Sequence, residues 1–254
     1  MPSLSNRWRW VAHGKHPALS DYISAGRIFP MATGISNWVH NGFSEQQKLN
    51  SPRRFRCSWR FWVKGNSRDD ISCGLLTDSC DSVGRPYPLL IMGNGPLAGW
   101  ERHWELVPAV CESAWGGMEE CATTPYRDFT ALDRGVASLP QPSPHWDAFR
   151  TVGDDDLAEL EATDGASFNL QLRDLLIKNF GYIFLDRCNV CDRLFRTEYA
   201  GKILSRNLKN VPTAVFVGGT AEATWFAFYC RPLTGADFAA LWTRLPQRLL
   251  KDNR

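Results

Sequence analysis

The alternation of apolar and polar positions is clearest over residues 57–63, where Cys57, Trp59, Phe61 and Val63 face one way and Ser58, Arg60 and Trp62 the other. A period of two predicts a half-buried strand. Residues 66–70 are polar and turn-forming and 71–76 apolar again, so this pair predicts an antiparallel hairpin. Residues 87–92 predict a third strand of the same sheet; Pro88 has no N–H, so the strand enters at an edge or uses Pro88 only at its start. Upstream, residues 8–10 predict a short strand and 14–18 a loop, Ser20 and Asp21 suit a helix start, and 31–43 predict a helix despite Gly34.

Residues 93–99 predict a loop, and beyond it Trp104, Val107, Cys111, Ala114, Trp115 and Met118 recur at threes and fours. That spacing predicts an amphipathic helix which Pro108 kinks or restarts. Residues 123–144 show no period, and Pro140, Pro142 and Pro144 make a stiff extended end, which places an internal boundary between 1–140 and 141–254. After it, Asp154, Asp155 and Asp156 suit a helix N-terminus, and 168–180 predicts a helix with Leu172, Leu175, Leu176 and Phe180 on one stripe, ended by Gly181. Strands are expected over 182–185, 211–217 and 224–230, the last two joined by a turn at 218–220. Thr234 caps a final helix, with Asp237 in its first turn and Phe238, Leu241, Trp242 and Leu245 as its apolar face. The fold class is α+β: an antiparallel sheet over 57–92 flanked by helices, followed by a smaller αββα portion that packs with the first or stands apart.

Composition adds limits. With 44% hydrophobic and 22% charged residues among 254, the chain has the make-up of an ordinary globular protein. No stretch approaches the roughly 18 apolar residues that a transmembrane helix requires, and no signal-peptide pattern opens the chain, so a soluble cytoplasmic protein is expected. A net charge of +2 implies no polyanionic partner, and the one basic run, Arg53, Arg54 and Arg56 with Arg60, suits a solvated face better than nucleic acid. Eleven tryptophans favour a protein that packs broad surfaces. Of eight cysteines only Cys188 and Cys191 have metal-ligand spacing; a zinc site needs a second pair that the following sequence lacks, so neither metal nor cofactor is expected. Five histidines supply no recognisable nucleophile and base arrangement, and Gly93-Asn94-Gly95 lacks the Gly-Lys-Ser/Thr of a phosphate loop, so no catalytic residue is assigned.

The informative stretch is 77–92, T-D-S-C-D-S-V-G-R-P-Y-P-L-L-I-M. Asp78 and Asp81 form turns, Gly84 permits positive φ, and Pro86 and Pro88 hold Arg85 and Tyr87 extended. Asp81 and Arg85 then face each other across the turn, either locking the loop or presenting a guanidinium that reads an anion.

The segment D-S-V-G-R-P-Y-P-L at 81–89 resembles the D-x-V-G-R-x-F/Y-P-L segment of the TagF family, accessory proteins of bacterial type VI secretion. W-V-A-H-G-K-H-P-A-L-S-D-Y-I at 10–23 resembles that family's opening, an aromatic followed by G-K-x-P and G-D-F, with Ser20 where the family has Gly. Trp225, then Arg231-Pro232-Leu233 and Phe238, resemble its later tryptophan, G-L-P and Phe, with Arg231 in place of Gly. The resemblance implies a non-enzymatic cytoplasmic regulator that restrains type VI secretion after translation, by binding a protein near the forkhead-associated scaffold. Gly14, Pro17, Gly84, Pro88 and Trp225 are the structural motif positions, and Lys15, Asp21, Asp81 and Arg85 are expected to be binding residues: if both loops lie at one edge of the sheet they form one shared binding face, and otherwise they are buried connectors whose charges pair with each other or with backbone. Alternatives are a structural or assembly subunit of the secretion machine and a small-molecule enzyme.

Overall fold

The structure is a computed structural model that describes residues 7–48, 56–149, 179–187 and 193–244. Its centre is one eight-stranded sheet in which every neighbouring pair is antiparallel, in the order β2-β1-β5-β4-β3-β7-β8-β6. The strands are β1 (Arg9–Lys15), β2 (Tyr22–Gly26), β3 (Ser58–Lys64), β4 (Asp70–Thr77), β5 (Leu89–Pro96), β6 (Phe180–Phe184), β7 (Ala214–Thr220) and β8 (Ala223–Tyr229). The helices are α1 (Pro30–Lys48), α2 (Val107–Thr123), α3 (Phe129–Ala137), α4 (Arg193–Asn207) and the short α5 (Gly235–Ala239). None of the described helices is long and apolar enough to cross a membrane.

Helices cover both faces. α2, α3 and α4 pack on the face carrying Trp10, Ala12, Trp62 and Ile91, while α1 and α5 pack on the face carrying Val11, Trp59, Phe61 and Met92. The alternation expected for β3 is present, but both of its faces are buried, Trp62 and Trp59 each at 0% exposure. The period separates two cores there instead of a core from solvent. The two halves of the chain share this sheet, because β3 pairs with β7 from Ser58↔Gly219 to Val63↔Ala214.

Several boundaries differ from the sequence expectation for physical reasons. β1 runs on through Gly14 and Lys15, since it is zipped between β2 and β5. Ser20 and Asp21 lead into β2, not a helix; Ile23 and Ala25 bury themselves against α3 at a period of two. β5 lies inside the sheet, with Pro88 just before it, and it continues through Gly93-Asn94-Gly95. Those glycines are spaces for rings: a side chain at 93 would run into Trp10 and one at 95 into Trp8, and the two indoles stack at 5.4 Å. Asn94 between them is fully engaged, donating to Asp70, Ser72 and the Ile71 carbonyl.

The aperiodic 123–144 contains α3, whose buried side is only Leu132 and Val136, too narrow a stripe to announce itself. Pro108 sits in the first turn of α2, preceded by 3-10 turns at Trp100–Arg102 and Trp104–Leu106, so it starts the helix without kinking it. Phe180 and Gly181 belong to β6, and Gly218 to Thr220 belong to β7. The acidic start at 154–156, residues 168–178 of the helix expected over 168–180, Cys188 and Cys191, Arg53 and Arg54, and Leu245 lie outside the described residues.

Candidate functional site

The register of the sheet determines which loops meet. Gly14 and Thr77 both pair with Leu89, so the end of β1, the end of β4 and the start of β5 lie together, and the segments 16–21 and 78–88 leave the sheet side by side. Gly14 has φ +123°, and a side chain there would strike the Pro88 carbonyl, which accounts for the glycine. Pro17 sits in a turn closed by the Leu19 N–H to the His16 carbonyl at 3.0 Å. In the second segment Cys80 and Pro86 form a bridge, Tyr87 donates its N–H to Ser79, and Gly84, at φ +84°, donates to the Asp81 carbonyl.

Asp81 joins the two segments. Its side chain has no exposure, and its oxygens accept from the N–H groups of Val83 (3.2 Å) and Arg85 (2.9 Å), from Arg85 Nε (2.6 Å) and from Lys15 Nζ (3.0 Å). Burial pushes this carboxyl up, but the Arg85 N–H and the two cations more than reverse that and hold it well below the usual carboxylate range. Arg85 Nη2 also donates to the Ser20 carbonyl at 2.7 Å, and the Ser82 N–H to the Leu19 carbonyl at 2.8 Å. Of the two roles open to an Asp/Arg pair at this spacing, the geometry provides the lock. It leaves the tip uncovered all the same: Val83 is 66% exposed and the Arg85 side chain 59%.

Lys15, Asp81 and Arg85 are thus one cluster. Asp21 stands next to it but turns away, its carboxylate accepting from its own neighbour Tyr22 N–H at 2.8 Å. Trp225 is on β8 against Phe184, separated from β5 by β4, β3 and β7, and packs in the core.

Two supports of the cluster were not found by sequence reasoning. His16 is fully buried: Nε2 lies 3.0 Å from the Cys121 carbonyl at the end of α2, and Nδ1 accepts from the Ala18 N–H. This fixes the neutral tautomer, and burial lowers the imidazole below its ordinary value. Tyr87 is packed edge-on against Tyr22 and Phe43, and its hydroxyl lies 3.1 Å from His40 Nδ1; burial and Tyr22 push its phenol up to about 12. A loop histidine beside a proline, and a tyrosine between two prolines, were the available signals.

A second polar arrangement lies on the other half of the sheet. Arg60 of β3 reaches between α2 and α4, and its guanidinium binds Glu119 through Nε and Nη2 and Glu112 through Nη1. With Trp115 and Thr197 it lines a cleft of about 310 Å³. All of its charge is engaged by the two glutamates. Among the described residues no group of three or more histidine, cysteine or acidic side chains is placed to hold a metal ion.

No curated protein matches the chain. A solved structure, PA0076 from Pseudomonas aeruginosa PAO1, is 16% identical with a TM-score of 0.48, over 92% of this chain and 94% of that one. Residues 12–139 match the family described as TagF N-terminal domain, type VI secretion system-associated. That segment is half of the chain and runs from within β1 to the end of α3, with both loops and all three members of the Lys15, Asp81 and Arg85 cluster, so the chain belongs to the TagF family of type VI secretion-associated proteins.

Proposed function

We propose that this protein is a non-enzymatic regulator of type VI secretion that works in the cytoplasm after translation, as a repressor, by binding a protein partner near the forkhead-associated scaffold. The observation that carries the reading is the tip at 82–85. A buried carboxylate with four donors orders the loop, yet Val83 and the Arg85 side chain point outward, 66% and 59% exposed. An apolar side chain beside an arginine on a preorganised loop loses little conformational entropy on docking, and arginine is among the residues that contribute most to interfaces. Lys15 remains inside the lock and supports the tip.

The test is direct binding of the purified chain to the purified forkhead-associated scaffold protein, with Val83→Asp and Arg85→Glu compared after their melting curves are recorded. Loss of binding by about tenfold or more in variants that melt like the parent supports the reading. Unchanged affinity in both sinks it.

A further inference from the structure

The open side of β2 carries a self-complementary sequence. The strand ends the sheet, with no strand beyond it among the described residues. Gly26 donates its N–H to Asp133 Oδ1 of α3 at 2.7 Å and Tyr22 donates to Asp21 Oδ1 at 2.8 Å, so neither N–H points at β1. Strand geometry then turns the N–H and C=O groups of Tyr22, Ser24 and Gly26 outward. Around Ser24 the sequence Asp21-Tyr22-Ile23-Ser24-Ala25-Gly26-Arg27 mirrors itself: Asp21 matches Arg27, Tyr22 matches Gly26, and Ile23 matches Ala25. Arg27 is exposed and has no partner among the described residues, and three of the exposed large apolar side chains adjoin this edge. They are Tyr22 at 45%, Ile28 at 52%, and Phe129 at 44%, one helical turn before Asp133.

We propose that β2 pairs antiparallel with β2 of a second copy of this chain, about a two-fold axis through Ser24. In that register the Asp21 carboxylate of each copy meets the Arg27 guanidinium of the other, and each Tyr22 ring lies over the partner's Gly26, where no side chain competes for the space. The Asp21 and Arg27 contact is then made twice, as the two-fold symmetry of a closed isologous interface dictates. Asp21 and Asp133 occupy two outward donors in the single chain and are released when the strands meet, so the pairing is weak and reversible. The inference does not depend on the function proposed above, because the tip at 82–85 is not part of this edge.

Sedimentation velocity of the full chain over roughly a hundredfold range of concentration tests it. The expected result is a concentration-dependent dimer that Asp21→Arg or Arg27→Asp alone weakens by at least about tenfold, and that the combined reversal restores. Asp133→Ala, which frees the Gly26 N–H, is expected to tighten the dimer several-fold, and circular dichroism checks each variant for folding. A chain that stays monomeric at every concentration, a dimer indifferent to the single reversals, or folded double variants that stay apart each overturn the proposal. So does a monomer that takes up an extended peptide at this edge instead of its own copy.

Discussion

Lys15 Nζ lies 3.0 Å from Asp81 Oδ2, and this contact ties the end of β1 to the turn that feeds β5. Arg85 holds the same oxygen from the other side at 2.6 Å, so one buried carboxylate serves two loops. Asp81→Ala is expected to lower the melting temperature more than either Lys15→Met or Arg85→Ala, because it strands two backbone N–H groups and both cations together. Since the Asp81 carboxyl is held below its ordinary value, its contribution is complete above about pH 4 and is lost as the pH falls further. Thermal melts of the three variants at neutral pH and of the parent in acid check both statements.

Gly84→Val separates fold from surface at the same turn. The position has φ +84° with open space around it, so the cost is backbone strain alone, about 1–3 kcal/mol for a β-branched residue. Arg85→Ala leaves Asp81 still paired with Lys15 and is expected to cost less, while removing the exposed guanidinium. Urea unfolding of the two variants gives the order directly; a larger loss for Arg85→Ala would contradict the geometry.

His16 makes stability depend on pH in a second window. Its Nδ1 accepts the Ala18 N–H, so a proton added there loses that bond, and burial already disfavours the charge. A folded-state value below the ordinary 6.5 means full stability above that pH and a decline as the pH falls below it. His13, buried on β1 and lowered by burial, adds in the same sense. Nitrogen NMR at about pH 6.5, where an ordinary imidazole is half protonated, is expected to find His16 mostly neutral with the proton on Nε2; a mostly protonated ring overturns this.

What could be seen in the sequence was local. The hairpin of β3 and β4 is legible because alternation and turn chemistry lie within twenty residues of each other. The Asp81 and Arg85 contact is legible from turn spacing, and Asp237 at Thr234 from capping chemistry, its carboxylate accepting from both the Thr234 N–H and hydroxyl. Arg231 adds a two-pronged bond to Asp237, which gives the departure from the family's glycine a structural use. Lys15 reaching Asp81 was not legible as a contact, since it follows from the strand order β1-β5-β4, which no local pattern encodes. Asp21 failed as a member of the cluster because a helix-start signature hid the edge strand that it precedes, where its carboxylate takes the Tyr22 N–H.

Gly93→Ala tests the packing of the first core. A methyl group at 93 meets the Trp10 ring, which is 6% exposed and stacked on Trp8. Overpacking of this kind costs about 1–3 kcal/mol, and the indole must tilt to relieve it. Tryptophan fluorescence and a urea titration are expected to report both changes together.

The last prediction concerns Arg60, and it turns on the asymmetry between removing a buried charge and removing its partners. The Arg60 side chain is 17% exposed, whereas Glu112 and Glu119 are 44% and 43% exposed, so the cation is desolvated far more than the anions. Desolvation lowers the guanidinium's affinity for its proton, and the two glutamates restore it and raise it above the ordinary value. Arg60→Met, which keeps the stem between α2 and the sheet and abolishes the charge, is therefore expected to stay within about 1 kcal/mol of the parent, because the freed carboxylates can turn to water. Replacing both glutamates by glutamine leaves the arginine enclosed without a counter-charge and is expected to cost about 3 kcal/mol. Each glutamate alone should cost less than half of that, since the other still holds the guanidinium. Chemical unfolding of the four variants gives the comparison. A loss for Arg60→Met as large as for the double glutamine variant would mean that the ion triad itself stabilises the fold, and that the cleft beside it depends on charge and not on the packing of the stem against Trp115.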